Sequence, residues 1–194
     1  MAPSPAPLRI ANCSGFWGDR ASGAAEMVRG GPIDVLTGDY LAELTMAILH
    51  KQRQAGRGGF VGTFLSQMEE VLVECMAKKI KIVSNAGGLD PRGLGEALAA
   101  LAQRLGVAPR IAVVEGDDLS ARRADLPALR AIGAGAPLPE ALTSLNAYLG
   151  AGAIAAALGA GADVVLTGRV VDSALVLGPL LHEFGWALDD WDRL

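Results

Sequence analysis

Apolar residues fall along the chain in two alternating kinds of run. Five short ones, Leu8–Cys13, Ile33–Leu36, Ile80–Ser84, Arg110–Glu115 and Asp163–Thr167, are β-branched or apolar without clean alternation. Strands covered on both faces have this pattern. Between them lie longer stretches with helical spacing: Arg20–Arg29, Leu41–Gln54, Phe60–Lys78, Pro91–Leu105, Leu142–Leu158 and Ala174–Phe184, with an irregular part after Leu119. Strand–helix alternation favours right-handed crossovers and a parallel sheet. The expected fold is α/β, a mainly parallel open sheet flanked by helices with Rossmann-like layering, in one domain over residues 1–194. The strand order stays open.

The punctuation agrees. Asp90-Pro91 is a helix start, a capping carboxylate followed by proline at the first helical position. Gly106 and Gly185 stand where helices should stop. Gly56-Arg57-Gly58-Gly59 separates two helices as a mobile link, and Ala134–Pro139 is a second flexible stretch. Met1 to Pro7 lacks the basic start and apolar run of a signal peptide and reads as a disordered lead-in.

Composition narrows the classes. A net charge of -4 with no Lys/Arg cluster argues against nucleic acid as partner. Cys13 and Cys75, without Cys-x-x-Cys spacing, suggest neither zinc nor a disulfide framework, and a reducing, cytoplasmic compartment fits. Ala141 to Ala162 carries no charge but is mostly Ala and Gly, with Thr143, Ser144 and Asn146 inside it. Its insertion energy would be poor, so a closely packed buried helix is expected and no membrane span.

Each expected strand ends in a small polar cluster: Asn12, Ser14, Gly15 and Asp19; Thr37, Gly38 and Asp39; Asn85, Gly87 and Gly88; Glu115, Asp117 and Asp118; Thr167, Gly168, Arg169 and Asp172. Ligands of open α/β sheets bind beyond the carboxyl ends of the strands. Asp19, Asp39, Asp90 and Asp172 also stand where aspartate caps helices, so each has a structural alternative. The recurrence in five consecutive turns favours a site. Glu115, Asp117 and Asp118 repel one another unless solvated, protonated or bound to a cation. Glu115 and Asp117 are therefore candidate Mg²⁺ ligands, with solvated surface acid as the alternative. Arg169 has the forked donors to hold a carboxylate or phosphate, or else a salt bridge to one of the acids. The Asn85–Gly88 turn before capped Asp90 is a candidate anion cradle. Asp39, Asn85, Glu115 and Arg169 are expected to converge on one cleft, with Asp39, Glu115, Asp117 and Arg169 as the catalytic candidates. Asp117→Asn is expected to lower function far more than stability.

Other motifs carry less. Gly150-Ala151-Gly152-Ala153 imitates a dinucleotide fingerprint but does not follow a strand, and no Walker sequence is present, so no NAD or nucleotide cofactor is implied. His50 falls late in a helix, where it could favour the dipole, and His182 falls late in its helix, away from the strand ends, so neither is an obvious catalyst. Trp17, Trp186 and Trp191 suit core or interface packing.

In this order the clusters resemble the acyclic terpene utilisation family, in its N-terminal domain. The matching blocks are Ile10 to Arg20, Leu36 to Met46, Val83 to Leu89, Val114 to Asp118, Leu145 to Gly150 (which adds Asn146 as a ligand candidate) and Thr167 to Leu175. The resemblance implies a catabolic protein associated with branched isoprenoid acids handled as CoA thioesters, alongside biotin-dependent carboxylases. It also implies a longer family domain than this chain. It carries no catalytic residues over.

Two functions follow as expectations. One is a hydratase- or lyase-type enzyme acting on a branched acid or its acyl-CoA, with or without Mg²⁺. The other is a non-catalytic subunit presenting substrate to a carboxylase. Phe184, Trp186 and Trp191 close the sequence with little chain to cover them. Completion by a further C-terminal portion or by another copy in a homo-oligomer is therefore expected.

Overall fold

All five apolar runs form strands, and all lie parallel in one sheet. The computed structural model describes residues 6–194, so most of the expected lead-in lies outside the described residues. The strands are β1 (Ile10–Asn12), β2 (Val35–Gly38), β3 (Lys81–Ser84), β4 (Ile111–Val114) and β5 (Val164–Thr167). Their order across the sheet is β1-β2-β3-β5-β4. Register is set by Thr37 opposite Asn12 and Val83, and by Val165 opposite Val83 and Ala112. The expected α/β fold with a mainly parallel sheet is therefore the observed one, with every strand pair parallel.

The order decides which face each helix covers. From β1 to β3 the chain steps one way across the sheet, and β4 continues that way by skipping a position. Right-handed crossovers then put α1 (Gly23–Gly30), α3 (Gly62–Lys78) and α4 (Pro91–Arg104) on one face. From β4 to β5 the chain steps back, so α5 (Gly152–Gly159) must lie on the other face, where α6 (Ala174–Phe184) joins it. The side chains obey the two-residue alternation of a strand. Leu36, Ile82 and Leu166 pack with Val28, Phe64, Met68, Leu94 and Leu98. Val35, Val83 and Val165 pack with Ile154, Leu158, Leu175 and Leu181. Helices α5 and α6 approach closely at Gly178, where a Cβ would sit 2.5 Å from Ile154 Cγ2. The helix α2 (Glu43–Gln54) precedes α3 and buries Met46 and Leu49 in the first core.

Two expectations are corrected. The helix expected over Leu142–Leu158 survives only as α5, Gly152–Gly159; residues 142–151 are irregular because other loops take their hydrogen-bonding groups. Of the four aspartates at helix starts, only Asp90 caps, accepting Gly93 N–H at 2.9 Å. Helices α1, α2 and α6 start after Ser22, Ala42 and Ser173 without a side-chain cap, which leaves Asp19, Asp39 and Asp172 to other partners. No helix among the described residues is long and apolar enough to cross a membrane.

Ion pairs stitch the amino ends of the strands. Asp34 takes the Arg9 guanidinium in a forked pair, Nε at 2.9 Å and Nη2 at 2.8 Å. Asp163, at the start of β5, accepts Lys81 Nζ at 2.8 Å from the β3 side and Arg110 N–H at 2.9 Å from the β4 side. Burial pushes the Asp163 carboxyl up, but Arg110 and Lys81 outweigh it and hold it well below the usual carboxylate range. A depressed carboxyl stabilises the fold above its unfolded pKa of about 3.9 and loses that contribution as pH falls toward the folded value. Asp163→Asn should therefore lower unfolding free energy by about 1–2 kcal/mol at neutral pH. In urea titrations the gap to the wild type should close as pH falls below about 4. A gap independent of pH would exclude the ionised Asp163 clamp.

Candidate functional site

Strands β3 and β5 are neighbours, yet the chain leaves them toward opposite faces, to α4 and to α6. Such a switch point opens a crevice outside the carboxyl ends of the strands. The two departing loops touch there. A Cβ on Gly87 would lie 2.5 Å from the Thr167 carbonyl oxygen, so only glycine lets them meet.

Arg169, from the β5 loop, occupies this crevice at 5 % exposure. Its Nη1 donates to Leu41 O at 3.0 Å and to Asp172 Oδ1 at 3.3 Å. Its Nη2 donates to the Tyr148 hydroxyl at 2.8 Å, and its Cζ sits 4.2 Å from the centre of the Tyr148 ring. Tyr148 in turn donates to Glu43 Oε1 at 2.7 Å, and that carboxylate lies 3.7 Å from Arg169 Nη2. The two acids that face the buried cation are both largely exposed, so water weakens their hold.

Asp117 fixes the loop that carries Arg169. At 3 % exposure it is a buried carboxylate, not a solvated surface acid. Its Oδ2 accepts Arg169 N–H at 2.7 Å and Asn146 Nδ2 at 2.9 Å. The backbone joins in: Asp117 O accepts Ala147 N–H at 2.8 Å, and Leu145 O accepts Leu119 N–H at 2.7 Å. These bonds are why residues 142–151 do not form a helix. Gly168 is required beside the carboxylate, since a Cβ there would sit 2.4 Å from Asp117 Oδ1.

Asp39, from the β2 loop, is half-buried. Its Oδ1 accepts Asn85 Nδ2 at 2.7 Å and Leu41 N–H at 3.2 Å, while Oδ2 has no hydrogen bond among the described residues. Desolvation raises its carboxyl above the usual range; the Asn85 and Leu41 bonds and Arg169 pull the other way, and Asp172 adds to the rise. Asn85 is held in turn, its Oδ1 accepting Tyr40 N–H at 2.8 Å.

Three adjoining cavities follow the strand ends. Arg169, Tyr148, Glu43, Met46, Asn146 and Ser144 line one of about 190 Å³. The next, about 460 Å³, shares Ser144 and is lined by His50, Arg53, Leu142 and Asp118 among others. A third, about 390 Å³, shares Arg53, Leu89 and Asp118 with it and reaches Glu115 and Asp117.

Not every expected site residue joins this crevice. Hydrogen bonds join Asp117, Asn146, Arg169 and Asp172, with Gly168 against Asp117; Asp39 and Asn85 form a second pair, near enough for the Arg169 and Asp172 charges to act on Asp39. Glu115 instead turns outward to an ion pair with Arg92. Glu115 and Asp117 line the same cavity but are engaged by different partners, Arg92 and the Arg169 and Asn146 N–H groups. Arg92 on Glu115 and the two N–H donors on Asp117 Oδ2 would compete with a cation at the expected Mg²⁺ site. Asp118 Oδ1 accepts Ser120 N–H at 2.8 Å, so the three acids avoid one another by facing separate partners. The Asn85–Gly88 turn is buried, and its N–H groups serve the fold: Ala86 donates to Ser84 Oγ, Gly88 to Asn85 O, and Asp90 to Gly87 O. It does not present the open anion cradle expected of it. Asn12, Ser14, Gly15 and Asp19 line a separate cavity of about 310 Å³ at the β1 side. There Asn12 Oδ1 accepts Thr37 Oγ1–H, and Asp19 accepts Gly15 N–H at 3.0 Å. Thr167 Oγ1 donates to Gly168 O within the β5 loop. Gly38 lies against the Tyr40 ring.

Glu43, Met46, Ser144 and Tyr148 were not singled out by the strand-end pattern, because they stand on α2 and on the long segment before α5. The uncharged stretch around Asn146 was the available signal, since a polar residue in an apparently packed helix needs a partner. Asp117→Ala should destabilise the protein by about 2–4 kcal/mol, because two buried N–H donors lose their acceptor. A solvated acid would change stability by less than about 0.5 kcal/mol, and thermal unfolding separates the two.

No curated protein and no solved structure matches the chain. The family described as acyclic terpene utilisation family protein AtuA matches residues 8–194. With that match over nearly its whole length, the chain belongs to the acyclic terpene utilisation family.

Proposed function

We propose that the crevice binds a branched isoprenoid acid, free or as its CoA thioester, and moves a proton next to its carbonyl. The observation that supports this is the buried Arg169 guanidinium, which faces a small cavity with Met46 and the Tyr148 ring on its walls. A cation flanked by apolar surface suits an anionic or polarised oxygen on an apolar chain. The carboxylate or thioester oxygen would replace Glu43 at Nη2, an exchange of one exposed acid for a better-enclosed partner.

Asp39 supplies the acid–base group in this reading. Its raised carboxyl and uncommitted Oδ2 suit a proton moved onto or off the carbon beside the carbonyl, while Arg169 holds the oxygen on which negative charge grows. In a hydration, water oxygen adds to the β-carbon and the proton goes to the α-carbon; elimination is the reverse. Neither Glu115 nor a metal ion is needed for that step.

Incubating the protein with branched acids and their CoA thioesters, with mass-spectrometric detection, tests the reading. Arg169→Lys keeps the charge but loses the fork, and should weaken binding roughly 10-fold or more. Asp39→Asn keeps an oxygen for Asn85 and Leu41 and should lower turnover roughly 100-fold or more. A raised folded pKa contributes stability below the unfolded pKa and loses it as pH rises, so Asp39→Asn should hold or raise the unfolding temperature at neutral pH. Binding without turnover by the wild type would move the protein to the substrate-presenting class, and no binding of any acid or thioester would end the proposal.

A further inference from the structure

Tyr148 stands between a cation and a carboxylate, and that decides where its proton goes. A guanidinium only donates, so the contact from Arg169 Nη2 at 2.8 Å makes the phenol oxygen an acceptor. The phenol proton is left for Glu43 Oε1, at 2.7 Å. That carboxyl is held below its ordinary value by the Tyr148 bond first, then by its own N–H and by Arg169, so it is ionised at neutral pH and only accepts.

The same oxygen, Glu43 Oε1, lies 3.7 Å from Arg169 Nη2. A phenol O–H and a guanidinium therefore converge on one carboxylate oxygen. The three residues line one cavity of about 190 Å³, so the point of convergence is open to a ligand. Glu43 is a poor occupant of it. Its side chain is 84 % exposed, and 3.7 Å is too long for a hydrogen bond to Nη2. Water screens what attraction remains. An oxygen carried by a ligand inside the cavity would take both bonds where Glu43 takes one.

We infer that the Tyr148 hydroxyl is the second donor of the oxygen site, and that Glu43 is a tethered carboxylate holding this site until a ligand displaces it. The inference rests on the reading of Arg169 as the acyl-oxygen site. It adds a second residue that touches the ligand and a competitor built into the first turn of α2. Once Glu43 swings into solvent, the Tyr148 oxygen still accepts from Arg169, and the phenol proton is free for a ligand oxygen at the vacated point. Both bonds strengthen as negative charge grows on that oxygen.

Isothermal titration with isovalerate and with its CoA thioester tests this, read on whichever probe binds. Glu43→Ala removes the competitor and should tighten binding at least ~3-fold over the wild type. Tyr148→Phe, added to Glu43→Ala, keeps the ring on Arg169 but loses the O–H. Affinity should then fall ~10-fold or more. The chain has two tyrosines, Tyr40 and Tyr148, so isotope labelling at the phenol carbon resolves each by NMR. The Tyr148 signal should move as the probe binds to Glu43→Ala, and the Tyr40 signal should not. Unchanged affinity on adding Tyr148→Phe overturns the inference. So does a loss of affinity with a Tyr148 signal that stays still, because Tyr148 would then be a prop for Arg169. Unchanged or weaker binding by Glu43→Ala overturns it as well. All three outcomes leave the Arg169 reading standing, whereas binding of neither probe by either protein removes that reading. If Glu43→Ala melts early, Glu43→Gln replaces it with the same expectations.

Discussion

A carboxylate out of reach of water must be met by donors, and Asp117 is met by parts of the chain remote in sequence. One donor is the backbone of Arg169; the other is the side chain of Asn146. The acid at the end of β4 therefore holds the β5 loop and the segment before α5 in one arrangement. Arg169, Tyr148 and Ser144 owe their relative positions to it. Its energetic role lies in the N–H groups that it satisfies, since leaving a buried donor unpaired is worse than the bond is good.

The two ends of the sheet are built differently. At the amino ends, charged pairs run across neighbouring strands and hold register: Arg9 with Asp34, Lys81 and Arg110 with Asp163. At the carboxyl ends the polar groups belong to loops, where they bind one another or face cavities. Asp39, half-buried and raised, and Asp163, held low, are the same side chain under opposite environments. Desolvation dominates where the opposing charge is shared among several groups. Direct ion pairs dominate where two cations face one acid.

The fold was legible because strand runs and helical spacing are local signals. Every strand was found within a few residues, and the parallel sheet followed from the alternation. The strand order was not legible, since β4 and β5 are similar apolar runs and nothing local says that β5 sits inside. At the site, the strand-end clusters pointed to Asp39, Asn85, Asp117 and Arg169, which the fold joins in two hydrogen-bonded pairs, Asp39 with Asn85 and Asp117 with Arg169. They pointed equally to Glu115 and to the Asn85–Gly88 turn, because spacing does not reveal which way a side chain faces or which N–H groups a turn has already used. The helix misread over residues 142–151 has the same origin. Its apolar, small-residue composition favours helix, and only the distant Asp117 overrides that preference.

The strand order also has a bearing on how the chain acquires its structure during synthesis. Strands β1 to β3 can pair as they emerge, each beside the last. β4 cannot, because among the described residues its one hydrogen-bonded neighbour is β5. From Val114 until Val164 leaves the ribosome, β4 has no partner and β3 presents an open edge. Direct pairing of those two would close the sheet one strand short and leave β5 outside it. The long irregular stretch between β4 and β5, with its glycines and few buried side chains, is poor at forming competing strands. A segment that serves the mature protein as a cavity wall thus also keeps the gap in the sheet open until the strand meant for it arrives.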